Sequence, residues 1–519
     1  MTQGLTPPSA AVPLAVLAAG IVPVPADVLV SDVTQDSRAV TPGALFLARR
    51  GVRHHGREFL GEALACGARA VLIEEEAAAA PASAALSSPV PPGIFVAVVP
   101  DLGRHVGAIA ARFFGAPSAQ LTVAGVTGTN GKTTCAWLLA QALVASGRSA
   151  TYMGTIGSGP PGRLTSAALT TADAVSVQRE LAAARALGAE CVAMEVSSHA
   201  LEQGRVDAVR FRAAAFTNLT RDHLDYHGTM QAYAAAKARL FEHEGLAARV
   251  INIDDPFGRE LALRAGPGEL TVTTRRALEP GAPPGIRSAR RLQVRRLELR
   301  ASGLSLTAST PAGEVSLEVP LLGEFNADNV LTVLGVLLAF GLTPEAAARA
   351  LERSTAAPGR MQVIPDARGR LVIVDYAHTP DALAKALQAA RAHSPGRLHV
   401  VFGCGGDRDR GKRPLMGRAA AALADCITLT DDNPRSEDPQ RIVAEIRAGI
   451  PPASTVHTEH DRAAAIAAAI ATARAGDAVL IAGKGHEDYQ IQAGGRRPFS
   501  DEAAARSALG SAAAPAGPA

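Results

Sequence analysis

Short, nearly unbroken apolar runs recur along the chain: "GALFLA", "ARAVLIEE", "IFVAVV", "LTVAGV", "CVAMEVS", "AAAFTNL", "GRLVIVD", "LHVVFG", "CITLTDD" and "AVLIAGKG". A strand with one solvated face would alternate; continuous runs predict parallel strands covered on both faces. Between them lie helical stretches such as "LGRHVGAIAARFFG", "CAWLLAQAL" and "YAAAKARLF". Strand and helix in alternation predict an α/β fold. The spacing divides the chain into three such units, over 1–115, 116–356 and 357–519. Leu270–Pro320 reads as a β-rich insertion, and "RSARRLQVRRLELR" (Arg287–Arg300) within it as an alternating strand with a solvated face. Residues 1–30 read as weakly packed, Ala77–Gly93 as a loop, and the final "GSAAAPAGPA" as a disordered tail.

Composition narrows the function classes. A chain of 519 residues with 47% hydrophobic and 19% charged residues is that of a globular protein of several domains. Net charge is only +3, which gives no electrostatic case for a nucleic-acid or membrane partner. Five cysteines without CxxC spacing indicate neither a disulfide framework nor a zinc site and fit a reducing cytoplasm. The apolar stretch Ala10–Val30 is broken by Pro13, Pro23 and Pro25 and has no basic residue before it, so neither a signal peptide nor a membrane span is expected.

Chemistry enters at "GVTGTNGKTT", Gly125–Thr134. It follows the apolar run "LTVAGV" and fits the phosphate-loop pattern through Gly125, Gly131, Lys132 and Thr133. Glycines let backbone N–H groups turn inward around phosphate oxygens, and the following helix N-terminus adds its dipole. A lysine reaches the terminal phosphates and a hydroxyl can ligate Mg²⁺. The chain is therefore expected to bind ATP with Mg²⁺. A phosphate loop alone does not separate a kinase, a switch and a ligase.

The longer "GTNGKTT" resembles the ATP loop of the Mur ligase family, which also contains the folylpolyglutamate synthases. Other segments follow in that family's order: "DSR" (36–38), "EVSSHAL" (195–201), "TNLTRDHLDYHG" (217–228), "YAAAKARLF" (233–241), "GEFNADN" (323–329), "GR" (359–360), "VDYAHTPDAL" (374–383) and "GKGHE" (483–487). The resemblance covers almost the whole chain. It implies an N-terminal domain for a UDP-linked substrate, a central ATP-binding domain with a phosphate loop, and a Rossmann-like C-terminal domain for an amino acid. It implies an ATP-dependent ligase of cytoplasmic peptidoglycan synthesis, acting as a monomer through an acyl phosphate.

Residue by residue, the resemblance implies that Gly125, Gly128, Thr129, Asn130, Gly131, Lys132, Thr133 and Thr134 hold ATP, with Asn329, Arg360, Asp375 and His378 completing the site. Thr133, Glu195, His223 and a carbamylated Lys237 are the implied metal set, and Lys132, Glu195, His223 and Lys237 the catalytic one. By sequence alone Glu195 could be a surface acid, His223 a packed histidine, and Lys237 a solvated lysine on an alanine-rich helix. The UDP-linked substrate would meet Gln35, Ser37, Val52, Arg53, His54, Thr170, Thr171, Ser197, Gln203 and Arg205.

In "TDDNPRSED" (Thr430–Asp438), Asp, Asn, Pro and Ser are ordinary turn residues, and a structural turn is one reading. The family resemblance implies another. Diaminopimelate differs from lysine by a carboxylate at its far end, which a guanidinium binds in a planar fork. Asp432, Asn433, Pro434 and Arg435, with Arg408, Gly483 and Glu487, would form its pocket. The expected partners are thus UDP-N-acetylmuramoyl-L-alanyl-D-glutamate and meso-diaminopimelate. Lysine as the added amino acid, folylpolyglutamate synthesis, and a non-catalytic nucleotide-binding regulator are the alternatives.

Overall fold

The computed structural model describes residues 11–51, 54–75 and 91–511. They form two compact units: residues up to Val272 with Pro280–Arg290 and Gly335–Gly341, and Thr273–Glu279 with Arg291–Leu334 and Leu342 onward.

In the first unit, Val33–Thr34, Leu45–Ala48, Ala70–Glu74 and Phe95–Val99 make a four-stranded parallel sheet in that order. Leu45, Leu47 and Leu72 on one face and Phe46, Val71 and Ile73 on the other enter separate cores, as unbroken apolar runs require. The expectation that residues 1–30 pack weakly does not hold for the described part. Val12–Pro13 pairs with Leu29–Val30, and Leu14 and Leu17 are fully buried in the first core. The prolines that break a long helix here leave room for one short turn, Leu14–Leu17.

Six adjacent strands of a ten-stranded sheet lie in the same unit, a run in the order Ala248–Asn252, Phe211–Phe216, Thr122–Thr127, Cys191–Glu195, Ala150–Gly154, Gly157–Gly159. All neighbours in this run are parallel except the last pair. Thr122–Thr127 and Cys191–Glu195 are thus adjacent, and their carboxyl ends bring the phosphate loop beside Glu195. Ligands of open α/β sheets bind at such ends.

In the second unit, Arg290–Arg300, Gly303–Thr310 and Gly313–Val319 form an antiparallel meander. Its arginines carry the expected solvated charge, with Arg300 paired to Glu298 at 2.7 Å and to Glu318. A six-stranded sheet follows, in the order Gln362–Ile364, Leu371–Asp375, Ala478–Ala482, Leu398–Phe402, Cys426–Leu429, Val456–Thr458, parallel but for its first strand. The segments 403–411, 430–438 and 483–488 leave the carboxyl ends of three of its strands. None of the five cysteines is disulfide-bonded, and among the described residues no helix is long and apolar enough to cross a membrane.

Candidate active site

The phosphate loop is shaped by glycines with no room for a side chain. Gly128 has φ +153°, and a Cβ there would lie 1.9 Å from Thr217 Oγ1. Helix Lys132–Ala145 begins at the loop's end, after Gly131 at φ +86°. Lys132 Nζ donates to the carbonyl oxygens of Gly128 and Thr129, both at 2.9 Å. Asn218 and Thr217 brace the loop from the next strand: Asn130 N donates to Asn218 Oδ1 (3.0 Å) and Thr217 Oγ1 to Asn130 O (2.6 Å).

Glu195 is no surface acid; it is 0% exposed. Its Oε2 accepts from Thr133 Oγ1 at 2.9 Å and from Thr155 Oγ1 at 3.2 Å. Its Oε1 accepts from Thr155 N at 2.9 Å and from the Tyr152 hydroxyl. The carboxylate thus sits among neutral donors, with no lysine or arginine of the described residues among its hydrogen-bond partners. Tyr152 and Thr155 escaped the sequence reading, although they flank Gly154, where a Cβ would lie 2.3 Å from Glu195 Oε1.

These groups suit a hard cation. Thr133 Oγ1 and Glu195 Oε2 stand 2.9 Å apart, the spacing of neighbouring oxygens around an octahedral Mg²⁺ with bonds of about 2.0–2.1 Å. Among the described residues no three His, Cys, Asp or Glu side chains gather as a metal cage.

Lys237 contradicts the solvated-helix reading: it is 1% exposed. It ends the helix Met230–Ala238, its Nζ donates to Gly128 O at 2.7 Å, and it lies 4.4 Å from the Tyr233 ring centre. Burial, and then the nearby Lys132 charge, push its pKa well below the ordinary lysine value. His223, by contrast, is exposed rather than packed, with φ +52°, 4.9 Å from the His199 ring. Burial and the neighbouring His223 and His227 lower His199 to about 4.

A cleft of about 1100 Å³ lies between the first sheet and the helix Ala174–Ala186. Gln35, Ser37, Gln203 and Arg205 line it as expected, joined by Arg49 and Arg179. Two contacts fix its walls: Gln35 Nε2 to Asp173 Oδ1 and Arg179 Nη2 to Asp32 Oδ1, each 2.8 Å. Arg205 donates to Gln203 Oε1 at 2.7 Å and to Thr171 O at 2.8 Å. Thr171 Oγ1 links Glu195 O (2.9 Å) to Ser197 N (3.0 Å), and Thr170 bonds Thr155 at 3.1 Å. These three therefore sit beside the Glu195 end rather than in the cleft. His54 is exposed and pairs with Glu58 at 3.3 Å, outside the cleft lining. Val52 and Arg53 lie outside the described residues.

In the second unit, Asp375 accepts from Met361 N and Ala377 N, both at 2.8 Å, and burial raises its pKa. Arg360 stacks on Tyr376 at 4.8 Å, His378 Nδ1 contacts Tyr376 O at 2.9 Å, and Asn329 donates to Asn326 Oδ1 at 2.7 Å.

The "DNPR" segment is more than a surface turn. Arg435 has φ +53°, a conformation unfavourable for any residue with a Cβ. Its guanidinium donates to Gly406 O at 2.8 Å, its N–H to Ile491 O at 3.1 Å. Gly405 leaves space for both Arg435 and Arg408: a Cβ on it would lie 2.8 Å from Arg435 Nη1 and 3.6 Å from Arg408 Cγ. Asn433 Nδ2 donates to Glu487 Oε2 at 3.0 Å, and a Cβ on Gly483 would strike Asp432 Oδ2 at 2.5 Å. Asp432, Asn433, Arg435, Arg408, Gly483 and Glu487 are thereby one neighbourhood, closed by Pro434, whose carbonyl packs on Gly406.

Family models match along the chain: "Mur ligase family, catalytic domain" over 30–113, "Mur ligase middle domain" over 126–337, and "Mur ligase, glutamate ligase domain" over 359–485. The chain belongs to the Mur ligase family. This Mur ligase is 50% identical over 481 residues (92% of this chain, 94% of the relative) to the UDP-N-acetylmuramoyl-L-alanyl-D-glutamate–2,6-diaminopimelate ligase of Chromobacterium violaceum. It is 47% identical to the ligase of that name from Pseudomonas aeruginosa, over 93% of this chain and 96% of the relative. A solved structure of a ligase of that name superposes with TM-score 0.70 at 36% identity, covering 97% of this chain and 99% of the other. Folylpolyglutamate synthase of Mycobacterium tuberculosis, complexed with ADP and AMPPCP, shares the fold alone, with TM-score 0.58 at 19% identity over 78% of this chain and 95% of the other.

Proposed function

We propose that this Mur ligase couples ATP hydrolysis to the addition of meso-2,6-diaminopimelate to UDP-N-acetylmuramoyl-L-alanyl-D-glutamate, in cytoplasmic peptidoglycan synthesis. The γ-phosphoryl group passes to the acceptor carboxylate, releasing ADP. The amine of diaminopimelate then attacks the acyl carbon, the C–O bond to phosphate breaks, and the amine's proton leaves to solvent. The enzyme acts as a monomer, with neither nucleic acid nor membrane as partner, and its domains meet near 115/116 and 356/357.

In this reading the Gly125–Thr134 loop wraps the phosphates, and Lys132 exchanges its two carbonyl partners for phosphate oxygens. Thr133, Glu195, His223 and carbamylated Lys237 would hold Mg²⁺. Bound there, the ion would offset the repulsion between phosphate and carboxylate. A carbamate needs a neutral amine and enough burial to persist; Lys237 is buried, and that burial pushes its pKa well below the ordinary lysine value, which favours the neutral form. Asn329, Arg360, Asp375 and His378 would complete the nucleotide site. The cleft with Gln35, Ser37, Gln203 and Arg205 would take the UDP-linked substrate, with Thr170, Thr171 and Ser197 at its reactive end; Val52, Arg53 and His54 are the further residues that the family pattern assigns to this substrate.

The observation that carries the choice of amino acid is Arg435. A guanidinium held at φ +53° among Asp432, Asn433, Arg408 and Glu487 is a built site for a group bearing both charges, as the distal end of diaminopimelate does. The test is product mass after incubation with ATP, the UDP-linked dipeptide and diaminopimelate, lysine or ornithine in parallel. A product carrying diaminopimelate is expected; a product formed only with lysine would replace this reading with the lysine-adding one.

A further inference from the structure

Lys484 belongs to none of the groups assigned above, yet it bonds two residues of the proposed amino-acid pocket, Asn433 and Glu487. It is fully buried, a costly place for an ammonium unless it is paired. Its Nζ donates to Glu487 Oε2 at 3.0 Å and to Asn433 Oδ1 at 3.2 Å, and lies 5.4 Å from the Tyr489 ring centre. Asn433 closes the triangle through its own bond to Glu487 Oε2, and its Oδ1 also accepts from Ile491 N at 2.8 Å. Glu487 Oε2 therefore takes two donors, while Oε1 accepts no hydrogen bond from another of the described residues. The carboxylates Asp432 and Glu487 and the cations Arg408, Arg435 and Lys484 share this neighbourhood, with buried Arg462 beside Asp432 already paired to Asp501.

We infer that Lys484 is a specificity-determining positioning residue: its buried charge offsets Glu487 so that the pocket tolerates a ligand with a distal carboxylate. The inference rests on the diaminopimelate reading. Lys484 does not touch the ligand; it sets the charge balance and fixes Glu487 Oε2, which leaves Oε1 to meet an ammonium. Removing its charge makes the pocket more negative by one. A distal carboxylate is then disfavoured, while the bare ammonium of lysine is not. Packing alone would predict equal losses for both amino acids.

The test is internal competition: both amino acids are supplied together and the ratio of the two products is read by mass spectrometry. Lys484→Gln keeps a donor toward Asn433 and Glu487 but removes the charge, and should lower the diaminopimelate-to-lysine ratio by about tenfold. Lys484→Arg keeps the charge and should hold the ratio within about threefold. Glu487→Gln removes the opposing charge, so the ratio should rise even where overall turnover falls; this arm stands if a Lys484 variant does not fold. Equal ratios in Lys484→Gln and the native enzyme, or a fall in Glu487→Gln, would overturn the inference. Arg435→Ala run in parallel separates the two failures. If it leaves the ratio unchanged, the pocket assignment is wrong; if it lowers the ratio while Lys484→Gln does not, only the role of Lys484 falls.

Discussion

Lys237 Nζ donates a 2.7 Å hydrogen bond to the Gly128 carbonyl, so a lysine on the helix Met230–Ala238 is anchored to the phosphate loop. With burial and Lys132 both disfavouring its charge, the neutral amine required for reaction with CO₂ is populated at lower pH than for an exposed lysine. Lys237→Ala should lower turnover by at least about 100-fold, with partial recovery on adding short carboxylic acids that supply the missing anion. Activity near that of the native enzyme at saturating Mg²⁺ would remove Lys237 from the metal site.

Lys132→Ala should abolish ATP-dependent phosphate release, a loss on the order of 1000-fold or more, while its melting temperature stays within a few degrees of the native value. Its side chain ties two loop carbonyls, and its larger task is the phosphate charge. Phosphate release at the native rate would contradict the loop assignment.

Tyr152 and Thr155 orient Glu195, so their effect should appear in metal affinity. Tyr152→Phe removes one donor to a buried carboxylate and leaves the ring, which packs edge-on against Trp137 at 5.6 Å. The Mg²⁺ concentration for half-maximal activity should rise about tenfold with little change in KM for diaminopimelate. An unchanged Mg²⁺ dependence would assign Tyr152 to packing alone.

Two histidines predict an acid-side loss of stability. Burial, with His223 beside His199 and Arg360 beside His486, lowers both to about 4 from an ordinary 6.5. Each stays neutral in the folded chain where the unfolded chain binds a proton. Their contribution is complete above pH 6.5 and declines as pH falls toward 4. Melting temperatures at pH 7 and pH 5 should differ less in His486→Gln than in the native protein; parallel curves would exclude His486 as a source.

Much of the fold was legible because parallel strands covered on both faces must be continuous apolar runs, as Thr122–Thr127 and Ala478–Ala482 are. The phosphate loop was legible because its glycines answer a steric demand, seen at Gly128 against Thr217. Lys237 was not legible from its residues. Its helix is mostly alanine and carries no strong apolar stripe, and a helix that packs through small side chains leaves no periodic signal. Tyr152 escaped for a different reason: its partner Glu195 is far away in sequence, and only strand order brings them together; Lys484 stands three residues before its partner Glu487, but its burial and its bond to distant Asn433 arise only in the fold. Residues 11–30 pack although their prolines break any long helix, because proline argues against helix length and not against burial.

The account turns on what Arg435 reads. Removing it should leave the distal carboxylate of diaminopimelate without its charged partner, which costs on the order of 2–4 kcal/mol, or roughly 30- to 1000-fold in kcat/KM. Lysine lacks that carboxylate, so its poor use should fall far less, and KM for ATP should stay near the native value. Arg435→Lys should recover only part of the loss, because an ammonium cannot reproduce the planar fork. The deciding measurement is kcat/KM for diaminopimelate and for lysine in native enzyme and Arg435→Ala. A loss confined largely to diaminopimelate is predicted; equal losses for the two amino acids would make Thr430–Asp438 a structural turn.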